Sequence, residues 1–259
     1  MSESQRRLVL VLGSGSDTVA GALQALGIPR PEPAWVARLH ADLLDRSDVA
    51  LHDGRPAAWL EAGKVAVLDG PRERLETWLR RQLEESPELV VADPGLAWFL
   101  GLWQWAALRC EATVVPVLVT GAEPEPGDDT ERTAGRVNAL LHTERATRDT
   151  TRHLVDYAAF RADWTVPVAA LDVDAVRSAT AQDQRAVHEF LRTDRPVATT
   201  TWDALAVPPR LRQLAVRVDL AAEPAELDRL REAYADLYAE AESISQSSVV
   251  AVRNRRRKP

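Results

Sequence analysis

The segment that most constrains this chain is a short apolar run that breaks into a glycine-containing turn. Leu8 to Leu12 reads LVLVL, with the length and β-branched content of a buried first strand. Gly13-Ser14-Gly15-Ser16-Asp17-Thr18 follows, and a helical stripe of Val19, Leu23 and Leu26 then closes at Gly27 and Pro29. Strand, turn and helix N-terminus together aim backbone N–H groups and the positive end of a helix dipole at one point, a geometry that suits an anion. Ser14, Gly15, Ser16, Asp17 and Thr18 are therefore the candidate phosphate-loop residues. The charges oppose that reading. No Lys or Arg lies between Arg7 and Arg30, and Asp17 puts a carboxylate in the first helical turn.

Composition narrows the class. A chain of 259 residues, 46% hydrophobic, can bury one large or two small cores. No stretch approaches the ~20 apolar residues of a bilayer span, so no membrane partner is expected. The polar start from Met1 to Arg7 runs straight into the first strand, unlike a signal peptide, and the single Cys110 has no internal disulfide partner. A cytoplasmic location is expected. The formal charge of -7 argues against a nucleic-acid surface. Of 32 basic residues only Lys64 and Lys258 are lysines, so a lysine-dependent phosphate site would have to recruit one of those two.

Strand-like and helix-like segments alternate along the chain. After Trp35 comes a helical pattern of Val36, Leu39, Leu43 and Leu44, and Pro71 to Glu85 reads as a charged amphipathic helix. Leu89 to Val91 is a short buried strand, Leu96 to Leu108 a tryptophan-rich helix, and Val114 to Val119 another strand. Helix from Thr133 to Thr151, strand from His153 to Tyr157, helix from Gln182 to Leu191, a linker from Pro196 to Trp202 and a helix opened by Pro208-Pro209 complete the pattern. This order predicts a three-layer α/β domain around a parallel sheet, with a helical C-terminal part. One domain is expected over residues 1–252, followed by a basic, disordered tail at 253–259. In such sheets the loops beyond the strand C-termini, after Leu12, Val91 and Val119, converge on one crevice. The acidic, proline-containing segment GAEPEPGDD at 121–129 is expected to be a mobile surface loop.

Four stretches carry a family likeness: LVLVLGSGSDTVAGALQALGI at 8–28, ELVVADPGLAWFLGLWQWAA at 88–107, NALLHTERATRDTTRHLVDYAAFRADW at 138–164 and TTTWDALAVPPRLRQLA at 199–215. The third is the most specific, through Glu144, Thr147, Arg148, Arg152, Tyr157 and Asp163-Trp164. The chain resembles, over most of its length, the bacterial and especially actinobacterial sulfotransferases that use 3′-phosphoadenosine 5′-phosphosulfate (PAPS). That resemblance implies a sulfotransferase sheet of the P-loop NTPase-like type. It also implies a cofactor site that this chain departs from position by position. Where the family has a basic residue before Ser-Gly-Thr, Gly13 stands here, with Asp17 after the loop. The family's Lys-Asp-Pro-Arg appears as Ala92-Asp93-Pro94-Gly95. The arginine and serine that meet the 3′-phosphate are expected near Thr120 and Gly121, where GAEPEPGDD begins. Restoring charge with Gly13→Arg and Asp17→Ser is expected to restore anion affinity.

The resemblance and its departures lead to a sulfotransferase-fold pseudoenzyme, with no cofactor expected, acting as a binding or assembly partner. The alternative is an active sulfotransferase, or a repurposed group-transfer enzyme of secondary metabolism, that takes PAPS in a relocated site. Arg148 and Arg152, one helical turn apart, are anion-clamp candidates, although Glu144 four residues before Arg148 equally suits an ion-paired helix face. His40, His52, His142, His153 and His188 show no metal-ligand spacing, and no metal is expected. The tryptophans read as core. Near the C-terminus, Leu227, Leu230, Tyr234, Leu237, Ala241 and Ile244 form a heptad-like seam. The 227–244 helix docks either on its own core or on a second subunit, a copy of itself or a related sulfotransferase. A small-molecule ligand of the crevice is the other expected partner.

Overall fold

A computed structural model describes residues 5–125, 127–194, 200–221 and 223–255, with the side chains of 244–255 outside that description. Its centre is a four-stranded, all-parallel sheet ordered β2-β1-β3-β4, made of β1 (Arg7–Leu12), β2 (Glu88–Ala92), β3 (Thr113–Thr120) and β4 (His153–Asp156). In register, Leu10 stands between Val91 on one side and Pro116 on the other.

The LVLVL run is apolar throughout because β1 is buried on both faces. Alternation sorts its residues. Leu8, Leu10 and Leu12 join Leu89, Val91 and Leu118 in one cluster, against α2 (Pro33–Ser47), α3 (Ala58–Ala66), α4 (Asp69–Glu85) and α5 (Leu96–Arg109). Val9 and Val11 join Val90, Val117 and Val155 in the opposite cluster, with α1 (Ser16–Ala25), α7 (Tyr157–Ala162), α8 (Thr165–Ala169) and α10 (Ala181–Thr193). Short α9 (Asp174–Arg177) precedes α10. Helices thus cover both faces of a parallel sheet, as the alternating pattern predicts. Trp78, Trp98 and Trp103 are buried in the first cluster.

A third cluster lies away from the sheet and is built mainly from helices, with Leu205 and Val207 added from the segment before Pro209. Val137 and Leu141 of α6 (Thr130–Thr147) pack with Leu211, Leu214, Ala215 and Val218 of α11 (Pro209–Leu220) and with α12 (Pro224–Arg255). Leu227, Leu230 and Tyr234 of the predicted seam are buried there and Leu237 packs beside them, so this part of the stripe is covered by the chain itself. The Tyr234 hydroxyl donates to the Gly54 carbonyl at 2.5 Å and is 3.0 Å from that of Ala134, tying α12 to the loop before α3. Ala241 is exposed, and the side chain of Ile244 lies outside the described residues. The expected tail boundary at 253 falls inside α12, which runs to Arg255; residues 256–259 lie outside the described residues, as do 195–199 of the expected linker. None of the described helices is long and apolar enough to cross a membrane.

Two boundaries moved for reasons of capping. The Asp129 side chain accepts the Arg132 N–H at 2.9 Å, which starts α6 three residues before the expected Thr133. Asp156 accepts the Ala159 N–H at 2.7 Å, and this ends β4 before Tyr157 and starts α7.

Candidate functional site

The loops after β1, β2 and β3 meet, together with one face of α6, around a cavity of about 440 Å³. Its floor is the turn between β1 and α1. Gly13 and Gly15 have φ of 95° and 83°, backbone that a side chain rarely adopts. Space forbids a side chain as well: a Cβ on Gly13 would lie 2.2 Å from the Val119 carbonyl oxygen, and one on Gly15 would lie 2.5 Å from the Tyr157 ring. The Ser16 N–H returns to the Gly13 carbonyl at 3.2 Å and opens the helix.

All five predicted loop residues, Ser14, Gly15, Ser16, Asp17 and Thr18, line the cavity. Asp17 is not left alone. Arg30, beyond the end of α1, pairs with the Asp17 carboxylate and also donates to the Ala92 carbonyl at 2.9 Å, bridging the first two loops. Thr18 donates to Asp194 at 2.8 Å, and Arg161 approaches the same carboxylate at 3.4 Å. Ser16 is 8% exposed and its hydroxyl has no partner among the described residues.

The second loop is organised from behind. Trp103 donates its indole N–H to Nε2 of His40 at 2.9 Å, and Nδ1 of His40 lies 2.5 Å from Oδ1 of Asp93. An indole can only donate, so Nε2 is the acceptor and the proton sits on Nδ1, directed at Asp93. The same carboxylate oxygen accepts the Gly95 N–H at 2.9 Å. Burial alone would raise the Asp93 carboxyl, but the hydrogen bond from His40, the Gly95 N–H and the charge of Arg30 together hold it below its ordinary value. Gly95 has no room for a side chain either: a Cβ there would lie 2.7 Å from that of His40.

The expected surface loop at 121–129 carries no helix or strand among its described residues and exposes Glu123, Glu125, Gly127 and Asp129, while Pro126 lies outside the described residues. Ala122 and Pro124 are buried. Asp219 of α11 accepts the Gly121 N–H at 2.9 Å, Arg136 donates to the Ala122 carbonyl at 2.6 Å, and the Thr200 N–H reaches the Pro124 carbonyl at 3.0 Å. Arg136 also lies 3.5 Å from Asp219 and stacks over Trp202 at 5.3 Å. Burial pushes the Asp219 carboxyl up against the pull of Arg136. The loop's polar positions Glu123, Glu125 and Asp128 face the cavity.

Among the described residues that line the cavity, six carboxylates, Asp17, Asp93, Glu123, Glu125, Asp128 and Asp194, stand against two guanidinium groups, Arg132 and Arg136. Arg148 and Arg152 are elsewhere. Both converge on the buried Glu144, at 2.8 and 3.1 Å, and Arg148 also binds Asp228 of α12 at 2.8 Å. Arg231 joins the same pair of carboxylates, so the cluster fastens α6 to α12. Burial would raise the Glu144 carboxyl, but its three arginines hold it low, and Asp228 is lowered to about 2, chiefly by Arg148. Among the described residues no group of three or more His, Cys, Asp or Glu is placed to hold a metal. Cys110 is buried, which raises its thiol.

Sequence reasoning reached the loop and missed His40, Arg30, Arg132 and Arg136 as parts of the site. The one available signal was Asp93-Pro94-Gly95 directly after a strand, a turn that exposes a carboxylate at the sheet's C-terminal edge. In comparisons with known proteins, no family model matches the chain and no curated protein or solved structure is detectably similar to it.

Proposed function

We propose that this chain is a sulfotransferase-like protein that no longer transfers sulfate and acts by binding, through its crevice or through a related subunit. A parallel sheet whose first strand, β1, leaves through a glycine turn supports the P-loop-like assignment. The observation that carries the functional reading is the charge of the crevice, where among the described lining residues carboxylates outnumber guanidinium groups six to two. The residues do not fit PAPS. Each lost charge-assisted hydrogen bond removes ~1.5–3 kcal/mol, and three or four missing cations amount to several powers of ten in affinity. Gly13 and Gly95 lack space for replacements, so a basic side chain at either position has nowhere to go.

One observation favours the alternative of a relocated cofactor site: Arg132 and Arg136 line the crevice from one face of α6. Incubation with PAPS and a panel of phenolic, alcoholic and amine acceptors separates the two readings. No release of 3′-phosphoadenosine 5′-phosphate (PAP) above the protein-free rate is expected; turnover would overturn the non-sulfating reading.

A further inference from the structure

Asp93 is the best-held polar group of the crevice, and its surroundings define what it can meet. His40 and the Gly95 N–H both engage Oδ1. Oδ2 has no partner among the described residues, and the side chain is 14% exposed where it lines the cavity. It therefore presents an acceptor oxygen, fixed from behind by a histidine that is itself fixed by Trp103.

Local pairing sharpens the charge balance. Arg30 answers Asp17, Arg161 answers Asp194, and Asp219 answers Arg136. Asp93, Glu123, Glu125 and Asp128 then share the cavity with Arg132, whose guanidinium has no ion pair among the described residues. Two hydroxyls point to a ligand independently of charge. Ser16 and Thr143 line the cavity at 8% and 2% exposure, and neither hydroxyl has a hydrogen-bond partner among the described residues. Each hydroxyl oxygen keeps accessible surface toward the cavity, so its hydrogen-bonding capacity is open to water there or to a ligand's polar group that replaces it. Leu12, Pro94, Ala97 and Leu140 supply apolar wall between the polar points.

Resting on the reading that the crevice no longer holds an anionic nucleotide, we propose that it takes a small hydroxylated organic amine. The ammonium group is held by Asp93 and the carboxylates of the 123–128 loop, and the ligand's hydroxyl is held by Ser16 and Thr143. The site has reversed its charge preference while keeping its place at the sheet's C-terminal edge.

Three probes of nearly equal size test this: 4-amino-1-butanol, 1,4-butanediol and 4-hydroxybutyrate, titrated separately into the full chain and followed by amide chemical shifts. The aminoalcohol is expected to bind with a dissociation constant of ~1–10 mM, at least about tenfold tighter than the diol, with the acid weakest. Asp93→Asn should weaken it by about tenfold or more. The exposed pair Glu123→Gln with Glu125→Gln should weaken it about two- to fivefold with the fold unchanged, which keeps the test decisive if the Asp93 variant is unstable. Equal binding of amine and diol, preference for the acid, or no shift with any probe each overturns the inference. The last outcome leaves the non-sulfating reading intact, whereas PAPS turnover would remove both.

Discussion

His40 and Asp93, 53 residues apart in sequence, lie 2.5 Å apart between Nδ1 and Oδ1, and their contact joins α2 to the loop that leaves β2. His40 is 1% exposed, so this is a buried histidine with both ring nitrogens engaged. It fixes the one carboxylate of the crevice that faces it from the sheet edge.

Replacing that histidine should cost stability and change the site. His40→Ala leaves the Trp103 N–H without a partner, removes one of the two hydrogen bonds to Oδ1 of Asp93 and opens a cavity beside Phe99, which stacks on His40 at 5.7 Å. A loss of about 2–4 kcal/mol in urea unfolding is expected. The Asp93 carboxyl should titrate higher in the variant, since its leading lowering contact is gone. Unchanged stability would show that the pair is not a structural bond.

His142 should make the fold sensitive to mild acid. Its ring is stacked between Trp59 and Trp98, at 5.7 and 6.1 Å, its buried Nδ1 has no partner, and burial, Arg145 and Arg231 lower it to about 4. Between pH 6.5 and 4 the unfolded chain binds a proton that the folded chain does not, so stability falls as pH falls through that window and this contribution stops changing below it. The loss from this group is roughly 3 kcal/mol. His142→Phe keeps the stack and should remove that part of the slope when unfolding is followed from pH 7 to pH 4.

Gly13 carries a correction of the sequence reading. Charge repair by Gly13→Arg with Asp17→Ser assumed room for a side chain. With φ of 95° and the Val119 carbonyl 2.2 Å from any Cβ, even Gly13→Ala should lose at least ~1–3 kcal/mol. No gain in sulfate affinity is expected, and removing Asp17 also strips Arg30 of its partner. A stable, sulfate-binding double variant would show that the loop can open.

Leu230 tests the C-terminal helix. At 1% exposure within the α6–α11–α12 cluster, Leu230→Ala should cost ~2–5 kcal/mol, and Leu230→Asp more. Sedimentation of the alanine variant should match that of the parent. A folded, equally stable variant with altered association would restore the seam as a partner surface.

The parts of the fold legible in sequence are those written as a local period. LVLVL sends leucines to one face and valines to the other, and buried strands of this kind announce a parallel sheet. Short elements were not legible: α3 holds nine residues and α7 to α9 four to six each, too few to show a clear period. At the site, the glycine turn could be read because chain geometry dictates it. Arg30, His40 and Arg136 could not, because each acts across a fold contact: Arg30 on Ala92, His40 on Asp93, Arg136 on Ala122 and Asp219. The acidic, proline-rich composition of 121–129 announced its exposed residues, but not the contacts of Gly121, Ala122 and Pro124 with Asp219, Arg136 and Thr200, which act across the fold.

Calorimetric titration of the full chain with PAP measures the central claim directly. Carboxylates dominate the described lining of the crevice, and Gly13 and Gly95 are closed to side chains. The expected result is no binding tighter than about 1 mM, equivalent to ~4 kcal/mol of affinity. A micromolar dissociation constant would contradict the account and support a nucleotide-dependent activity instead.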